Sequence, residues 1–415
     1  MVIFMFKKSV SFALSLLTAV AVAPMSSAFA EDAVQGEYSQ NGFTLTYTVS
    51  GGNAVITDCS GEGTSLVIPA LVESTYPVSA VADRAFEDCT TLVNITVPDS
   101  VAQISSYAFS GCSSLQTVYL GSGVADIGDY AFASCPSLKT FDVDTENSFF
   151  SAEQNMLMTS DKASLVCYAG NPSAIIPDGT LCIEKGAFFC NTSVTDVSLP
   201  AGLDSVGDYA FAGCLSLESI TLPASVTSLG KGAFMSCVSL SQAVLGAGMS
   251  FIPEECFSMC SSLYSVNFPT AVTELGSKAF YSCPQLTGIY IPATVTVVGA
   301  DAIGTHYDIR TGTNAPIEGF YINGDKGSAI EQYAIASGVD FIDYSNIPLG
   351  DVDGNGQVTP SDAAITLSEY ASVNTGNPPA FSEYQTSSAD LNGDGNISPV
   401  DAALILEIYS VNATT

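Results

Sequence analysis

Two acidic segments in the C-terminal part of the chain have the residue types and spacing of a metal-binding loop. The first runs from Asp351 to Asp362, and the second runs from Asp390 to Asp401, 39 residues later. Both fit the pattern D-x-[DN]-x-[DN]-G, in which oxygen-bearing side chains alternate and a glycine permits a sharp turn. Hard oxygen ligands at this spacing suit a divalent cation such as calcium. The sequence therefore predicts two calcium sites.

The predicted calcium ligands occupy equivalent positions in the two loops. Positions 1, 3, 5 and 12 offer side-chain oxygens, and position 7 offers a backbone carbonyl. The candidates are Asp351, Asp353, Asn355, Gln357 and Asp362 in the first loop, and Asp390, Asn392, Asp394, Asn396 and Asp401 in the second. Each loop carries three carboxylates, so we expect the metal-free segment to repel itself and unfold.

Each loop leads into an apolar helix that positions the last ligand. The helices begin with Asp-Ala-Ala and run from Asp362 to Tyr370 and from Asp401 to Tyr409. Position 12 is Asp rather than the longer Glu of most EF-hands, and no entering helix precedes Asp351. With these features, residues 349–415 resemble a type I dockerin. A pair of acidic turns without a metal is the alternative, and two in-frame copies disfavour it.

The dockerin resemblance implies a partner, the cohesin module of a scaffoldin, bound in a calcium-dependent way. In dockerins the contacts come from loop positions 10 and 11 and from the helix that follows. The matching residues are Pro360, Ser361, Leu367 and Ser368 in one half, and Pro399, Val400, Leu406 and Glu407 in the other. Better-studied dockerins often place basic residues on that helix, so this chain departs toward a more apolar interface. The similar halves permit a second binding mode rotated by half a turn.

A 23-residue period organises the chain before these loops. The pair Ala-Phe or a close variant recurs, and its second position is Phe86, Phe109, Phe132, Phe188, Phe211, Phe234, Phe257, Phe280 and finally Ile303. Only the step from 132 to 188 breaks the period. Alternating apolar residues in each unit predict a short strand that Pro or Gly closes. A fixed period in the twenties is typical of a solenoid, whose coils bury the faces that their neighbours leave open.

The units resemble the BspA-type leucine-rich repeat of bacterial surface and secreted proteins, over roughly residues 36 to 344. The resemblance implies a solenoid of short parallel β-strands with turns and short helical segments, followed here by a small all-α, double EF-hand-like dockerin. Residues 38–68 resemble the family's β-rich N-terminal cap, and residues near 315–344 resemble its closing unit. Residues near 142–179 depart from the period, and we predict an insertion folded as a hairpin, either a recognition loop or an expanded turn.

The cysteines follow the repeat. Seven of the twelve lie three residues after the phenylalanine, and Cys190 lies one residue early. Equivalent positions in stacked coils project parallel Cβ vectors, so we predict a ladder of thiols rather than disulfides. The ladder comprises Cys89, Cys112, Cys135, Cys214, Cys237, Cys260 and Cys283. Whether Cys59, Cys167, Cys182 and Cys256 form pairs stays open. A zinc site is excluded, because the chain has no C-x-x-C motif and a single His.

Strand positions that flank the buried apolar pair are predicted to face the concave side of the solenoid. They are mostly small and polar, which suits many weak hydrogen bonds to a protein or a glycan. The candidate surface residues are Asn94, Thr117, Tyr119, Thr140, Asp196, Ser219, Asn267 and Tyr290. The alternative is that this surface binds nothing in particular. The absence of Trp weakens the case for sugar stacking.

Catalytic patterns are missing from the sequence. It contains no G-x-S-x-G motif, no P-loop and no recognisable pair of opposed carboxylates within the repeats. The single His306 lies in a degenerate last repeat, where we expect a surface loop residue rather than a base. We therefore predict no catalytic residues and no enzymatic activity.

The first thirty residues predict export. Lys7 and Lys8 precede an apolar run, and Ala28-Phe29-Ala30 fits a small-x-small cleavage site, so residues 1–30 read as a signal peptide. The apolar run is too short for a firm membrane span. The formal net charge of −32 disfavours nucleic acid and anionic membranes as partners. We expect a secreted protein without membrane insertion.

These patterns predict three parts, namely the signal peptide at 1–30, the repeat domain at 31–345 and the dockerin at 346–415. The predicted function is that of a secreted, non-catalytic binding protein attached to a cell-surface or multi-enzyme scaffold, whose solenoid binds an unidentified protein or glycan. One alternative is an adhesin for host or cell contact. Another is a hydrolase or inhibitor carried by the 142–179 insertion.

Overall fold

The computed structural model describes residues 34–269, 271–343, 348–375, 380–381, 383–392 and 396–413. The predicted signal peptide, residues 1–30, lies outside them. Among the described residues, no helix combines the length and hydropathy of a membrane span.

The N-terminal cap is an antiparallel meander. Its strands are β1 (Val34–Gln40), β2 (Phe43–Ser50) and β3 (Asn53–Gly61). Alternate residues of β2, from Phe43 to Val49, are buried, whereas the residues between them are partly exposed. This period of two is what a sheet with one covered face requires. The cap therefore closes the apolar end of the first coil.

The first block of coils continues from the cap with strands that pair in parallel, apart from one. They are β4 (Ser65–Val67), β5 (Leu71–Val72), β6 (Tyr76–Val81), β7 (Asn94–Val97), β8 (Gln103–Ile104), β9 (Thr117–Leu120), β10 (Asp126–Ile127) and β11 (Thr140–Val143). The exception is β5, which pairs antiparallel with β6. One sheet has the order β1-β2-β3-β6-β8-β10, and another has the order β11-β9-β7-β4. Asn94 pairs with Thr117, and Thr117 pairs with Thr140, so neighbours in space are 23 residues apart.

The segment that interrupts the period is itself built of strands. They are β12 (Phe150–Glu153), β13 (Met156–Thr159), β14 (Ser164–Tyr168) and β15 (Ser173–Ile175). The hairpin predicted here is the antiparallel pair β12-β13, and β14 adds a third antiparallel strand. This meander re-enters the solenoid, because β14 continues as the parallel neighbour of the strand at Cys182–Ile183.

The second block repeats the two-sheet pattern. Its strands are β16 (Cys182–Ile183), β17 (Asp196–Ser198), β18 (Ser205–Val206), β19 (Ser219–Thr221), β20 (Ser228–Leu229), β21 (Gln242–Val244), β22 (Phe251–Ile252), β23 (Ser265–Val266), β24 (Glu274–Leu275), β25 (Ile289–Ile291) and β26 (Val297–Val298). Their pairings within the block are parallel and in register.

The closing unit replaces coils with a hairpin, a helix and two final strands. Its elements are β27 (Thr305–Asp308), β28 (Thr313–Pro316), β29 (Tyr321–Gly324), helix α1 (Ala329–Ser337) and β30 (Asp340–Asp343). The helix begins at an N-cap, Ser328, which accepts the N–H of Glu331, and it ends at Gly338 in the left-handed conformation. Strands β25, β29 and β30 form one parallel sheet.

The C-terminal module is helical in its described residues. Its helices are α2 (Pro360–Asn374), α3 (Glu383–Ala389) and α4 (Pro399–Asn412). They share a small core that contains Val352, Ala363 and Ile405. Both α2 and α4 begin with a capping box and a Pro in the first turn, because each carries the sequence Thr/Ser-Pro-x-Asp.

Stacked phenylalanines form the solenoid core. Rings of consecutive coils lie 4.5 to 5.4 Å apart between centroids, from Phe86 to Phe132 and again from Phe188 to Phe280. The buried residues fall into two apolar clusters that meet at the interruption. Tyr168, on β14, stacks on Phe188 at 4.8 Å, so the insertion supplies the ring that starts the second stack.

The cysteine ladder consists of thiols, as predicted. In six coils the Sγ atom donates to the carbonyl oxygen of the phenylalanine in the preceding coil, at 3.0 to 3.2 Å; the donors are Cys112, Cys135, Cys214, Cys237, Cys260 and Cys283. All twelve cysteines are free, including the four outside the ladder. Burial raises the pKa of Cys283 to about 12. Each thiol therefore serves as a small apolar side chain with one weak donor.

Candidate functional site

The first acidic loop gathers three carboxylates around one point. Each of Asp351, Asp353 and Asp362 offers an oxygen, and these oxygens lie within 4.8 Å of one another. Asp351 and Asp362 have no exposed surface. Three carboxylates at this separation repel one another, and a divalent cation removes that repulsion. The donor set, hard oxygens from short side chains, fits calcium.

Asp351 also fixes the turn of the loop. Its Oδ1 accepts the N–H groups of Gly354 at 2.9 Å and Asn355 at 3.1 Å, and its Oδ2 accepts the N–H of Gly356 at 2.7 Å. Gly356 has a φ of +85°, which a residue with a Cβ rarely adopts. Asn355 in turn accepts the N–H of Gln357 at 2.8 Å. The loop therefore folds around its first carboxylate.

Asp362 joins the loop to helix α2. Its Oδ1 accepts the N–H groups of Val352 at 2.8 Å and Asp353 at 2.9 Å, which ties the end of the loop to its beginning. Its Oδ2 accepts the N–H of Thr359 at 2.8 Å as the third residue of the capping box. The short Asp side chain reaches these donors because the helix starts close to the loop.

The electrostatics of the loop are those of an acidic cluster without a counter-charge. Burial raises the pKa of Asp351 to about 7, and the carboxylates of Asp362 and Asp353 act in the same direction. The pKa of Asp353 is raised mainly by burial and then by Asp362. From residue 348 onward the sequence contains no Lys or Arg. The missing positive charge is what a bound cation would supply.

The second loop repeats the anchoring of the last ligand. The Oδ2 atom of Asp401 accepts the N–H of Ser398 at 3.0 Å and its hydroxyl at 2.8 Å. Its Oδ1 accepts the N–H of Asn392 at 3.3 Å. Asp394 lies outside the described residues, so the arrangement of three carboxylates can be described for the first loop alone. The other predicted ligands, Asp390 and Asn396, flank that gap.

The eight residues predicted to contact a cohesin are all exposed; they are Pro360, Ser361, Leu367, Ser368, Pro399, Val400, Leu406 and Glu407. Leu367 is 42% exposed and Leu406 is 43% exposed, although both are large and apolar. Sequence reasoning missed two more members of this surface, Tyr370 and Tyr409. They lie three residues after the leucines, on the same helix face, and are similarly exposed. Their recurrence 39 residues apart was the available signal.

The candidate residues of the solenoid surface are distributed over several sheets. Asn94, Thr117 and Thr140 form one paired row, whereas Asp196 pairs with Ser173 in a separate sheet. Ser219 opens β19 in a third. The strand face is therefore interrupted at the insertion and again between β17 and β19.

Five of these candidates are engaged within the chain. The Nδ2 of Asn94 donates to the hydroxyl oxygen of Ser65 at 3.0 Å, and Asp196 accepts the hydroxyl of Ser173 at 3.4 Å. The Asn267 amide accepts the N–H and donates to the carbonyl oxygen of Leu245. The hydroxyls of Tyr119 and Tyr290 donate to Asp144 at 2.8 Å and Asp325 at 3.3 Å, respectively. His306, which the sequence suggested as a loop residue, lies on β27. Its Nδ1 is buried and has no hydrogen-bond partner within the described part of the chain.

Comparison with known families agrees with both the repeat and the duplicated loop. Six copies of the BspA type leucine rich repeat region match residues 67–166 and 182–309, and the type I dockerin domain matches residues 349–407. The unmatched residues between the two repeat segments lie in the insertion. No curated protein matches the chain.

Several solved structures are similar to the repeat region. A leucine-rich repeat protein from Eubacterium ventriosum is 17% identical to this chain, with a TM-score of 0.43. The match covers 65% of this chain and 94% of that protein. A leucine-rich cell surface protein from Faecalibacterium prausnitzii is 21% identical over 67% of this chain and 96% of its own, with a TM-score of 0.33. The pneumococcal vaccine antigen PcpA is 18% identical over 74% of this chain and 98% of its own, with a TM-score of 0.38.

Proposed function

Because the chain belongs to the BspA-type leucine-rich-repeat family and carries a type I dockerin domain after the repeats, we propose that it is a secreted binding protein held on an extracellular scaffold. Both domains are non-catalytic binding modules, and together they make the chain a cellulosome-type protein-interaction component. The proposal assigns export to residues 1–30, ligand presentation to residues 31–345 and attachment to residues 346–415. It includes no enzymatic activity.

The observation that carries the proposal is the convergence of Asp351, Asp353 and Asp362 at the start of α2. Bound calcium supplies the positive charge that lets these carboxylates stay ionised side by side. The chain's own residues do the rest, since Asp351 folds the loop and Asp362 links it to the helix. We assign one ion to each loop, and the anchoring of Asp401 supports the second site.

The surface that we assign to cohesin binding is formed by the exposed apolar faces of α2 and α4. Leu367 with Tyr370 on α2, and Leu406 with Tyr409 on α4, place apolar side chains outward instead of in the core. Burying one such side chain in a cohesin interface contributes about 1.5–3 kcal/mol. Because the two faces carry the same residue types, a cohesin can engage either half, which gives two orientations related by half a turn.

The solenoid presents the surface that binds a protein or a glycan. The paired row of Asn94, Thr117 and Thr140 supports this role, because polar side chains at a repeated spacing can contact an extended or repetitive ligand. A glycan array and a pull-down with the full-length mature protein test it. Selective binding to a host cell surface, with no scaffold component recovered, would favour an adhesin instead.

The attachment claim is tested by a pull-down of the full-length mature protein with a panel of cohesins. We expect capture with calcium and none in chelator, and the double variant Asp351→Ala/Asp390→Ala should bind no cohesin. A matched control, Asp126→Ala/Asp196→Ala, removes two exposed acids from the solenoid and should bind as the unchanged protein does. Capture that survives both the chelator and the double variant contradicts the proposal.

The helix faces have a separate test in the same assay. Leu367→Ala with Leu406→Ala should weaken cohesin capture at least roughly tenfold, since each binding orientation loses an apolar contact. Ile335→Ala, which removes a more exposed apolar side chain from α1, should leave capture unchanged. Equal effects of the two variants would place the cohesin interface elsewhere.

A further inference from the structure

One position in the solenoid repeat changes character in the last coil. The residue that opens the first strand of a coil has a polar side chain, in the series Asn94, Thr117, Thr140, Asp196, Ser219, Gln242 and Ser265. Twenty-three residues after Ser265 the series ends with Gly288, just before β25, and its φ is +74°. The last coil therefore omits the side chain that the preceding coils carry.

The backbone of the first calcium loop occupies the space in front of this glycine. A Cβ on Gly288 would lie 2.9 Å from the carbonyl oxygen of Asp353 and 2.7 Å from the hydroxyl of Tyr321. On the other side, a Cβ on Gly354 would collide with the amide nitrogen of Asn323. Two glycines thus face a tight contact from opposite sides, one in the solenoid and one in the calcium loop.

Asn323 is built into this contact as an anchor. Its side chain is fully buried, and its Nδ2 donates to the carbonyl oxygen of Gly288 at 2.6 Å. The backbone N–H of Gly288 donates to the carbonyl oxygen of Tyr321 at 2.9 Å. Among the residues that the structure describes, the buried Oδ1 atom of Asn323 has no hydrogen-bond partner. Gly288, Tyr321 and Asn323, here called the loop seat, therefore form a fixed surface against the loop.

We propose that the loop seat is an intramolecular docking site for the first calcium loop, and that calcium binding there joins the solenoid and the dockerin into one rigid unit. The inference rests on the calcium binding of the proposed function. Without calcium the buried carboxylates of Asp351 and Asp353 repel each other, and the loop leaves the seat. With calcium the loop is ordered and its backbone packs against Gly288.

The two calcium sites then differ in a predictable way. Asp353, the third position of the first loop, lies against the seat, whereas Asn392, the same position of the second loop, is exposed. Because coupling between two sites is reciprocal, docking on the seat raises calcium affinity at the first loop. The calcium affinity of the second loop does not gain from docking on the seat.

Hydrogen exchange of the full mature chain, with calcium and with chelator, tests the docking. We expect amide exchange in residues 284–292 and 319–325 to slow at least roughly fivefold with calcium, the lower end of ordinary coupling between sites. Residues 207–222, in a distant coil, should not change. Residues 358–375 report calcium binding by the dockerin itself.

The outcomes separate the two claims. Protection of residues 358–375 without protection of the closing coil overturns the docking inference and leaves the proposed function standing. No calcium effect in either region overturns both. This comparison uses the unaltered chain, so it is decisive even where a variant fails to fold.

A pair of glycine variants checks the role of the contact. Gly288→Ala adds a Cβ against Asp353 and should abolish calcium-linked protection of residues 319–325, while residues 358–375 stay protected. Gly312→Ala is the matched control, because its φ of +73° imposes the same backbone strain and its Cβ would meet only Tyr307, at 3.9 Å. Full calcium-linked protection in Gly288→Ala contradicts the inference.

Discussion

Single residues of the first calcium loop make its behaviour depend on pH. The pKa of Asp351 is raised by burial to about 7, against an ordinary value of 3.8. A carboxyl whose folded pKa is raised stabilises the metal-free fold at low pH, and that stability is lost as the pH rises through the folded pKa. Calcium, in contrast, needs the ionised form.

We therefore expect opposite pH trends with and without the metal. Between about pH 5 and 8 the metal-free dockerin should become less stable while the calcium affinity of the first loop rises, because the same proton is released. The helical circular dichroism that remains in chelator and calcium titrations, both recorded at each pH, measure the two trends. Asp351→Asn should flatten the first trend. A calcium affinity that is constant across this range would contradict the assignment.

The cysteines provide a second test at this scale. The pKa of Cys89 is lowered by its hydrogen bond with Cys59, whereas burial raises the pKa of Cys260 well above its usual value. Each pKa unit changes the thiolate fraction about tenfold. At about pH 8, iodoacetamide should therefore label Cys89 long before Cys260 in the folded protein, as measured by peptide mass spectrometry. Cys214, buried in the same ladder, should be labelled as slowly as Cys260. Equal labelling rates of Cys89 and Cys260 would contradict this order.

At the scale of elements, the phenylalanine stack links each coil to the next through the solenoid core. Phe234 lies between Phe211 and Phe257, with 5.2 Å between centroids on each side. Phe234→Ala should lower the free energy of unfolding by about 3–5 kcal/mol, because it leaves a cavity in contact with both neighbours. Phe149→Ala, at an exposed position, should change it by less than about 0.5 kcal/mol. Urea unfolding of the full chain in calcium measures both variants, and similar losses would place the core elsewhere.

The turns of each coil show how far the sequence predicts local structure. The 23-residue spacing correctly predicts parallel strands and inward Phe and Cys side chains. The short helical segments implied by the family resemblance take the form of turns in the described coils. Tyr107 and Gly111, which flank the Ala-Phe segment, have φ values of +58° and +75°. Two left-handed residues four positions apart do not allow a right-handed helix between them, and side-chain type alone does not reveal them.

A second row of rings on the outer surface was not predicted. Arg84 lies over Tyr107 at 4.5 Å, and Tyr107 stacks on Tyr130 at 5.1 Å. These residues precede the Ala-Phe pair, so their spacing was visible in the sequence. Their contacts were not, because the left-handed backbone that turns each ring onto the next coil depends on the stacked structure. For the same reason the sequence does not predict the loop seat, because the role of Gly288 depends on the loop that packs on it.

For the whole molecule, the two domains should respond differently to removal of calcium. The predicted ligands lie in residues 351–401, whereas the solenoid core is built from apolar side chains of the repeats. Chelator should therefore abolish the helical circular dichroism of the dockerin and leave the β-sheet signal in place. Magnesium, which prefers a smaller and stricter octahedral site, should restore less of the helical signal than calcium. Loss of the β-sheet signal together with the helical signal in chelator would contradict this separation.

At this scale the sequence predicts the order of the parts better than their contacts. The repeat and the duplicated loop are local patterns, so they predict a solenoid followed by a calcium module. The continuity of the strand face is not local. It ends where β12 to β14 enter, and Tyr168 then restores the ring stack from outside the repeat frame. Such a repair depends on contacts between distant residues, which periodicity does not encode.

The uniform step of the phenylalanine stack has a consequence for the length of the protein. Because each coil touches only the coils beside it, one 23-residue unit can be gained or lost without changing either end. Every such event moves the ends by about 4.8 Å, the distance between neighbouring strands. Duplication in the gene therefore changes the length of the solenoid in fixed increments, and related proteins can place the same surface at graded distances from the C-terminal dockerin domain.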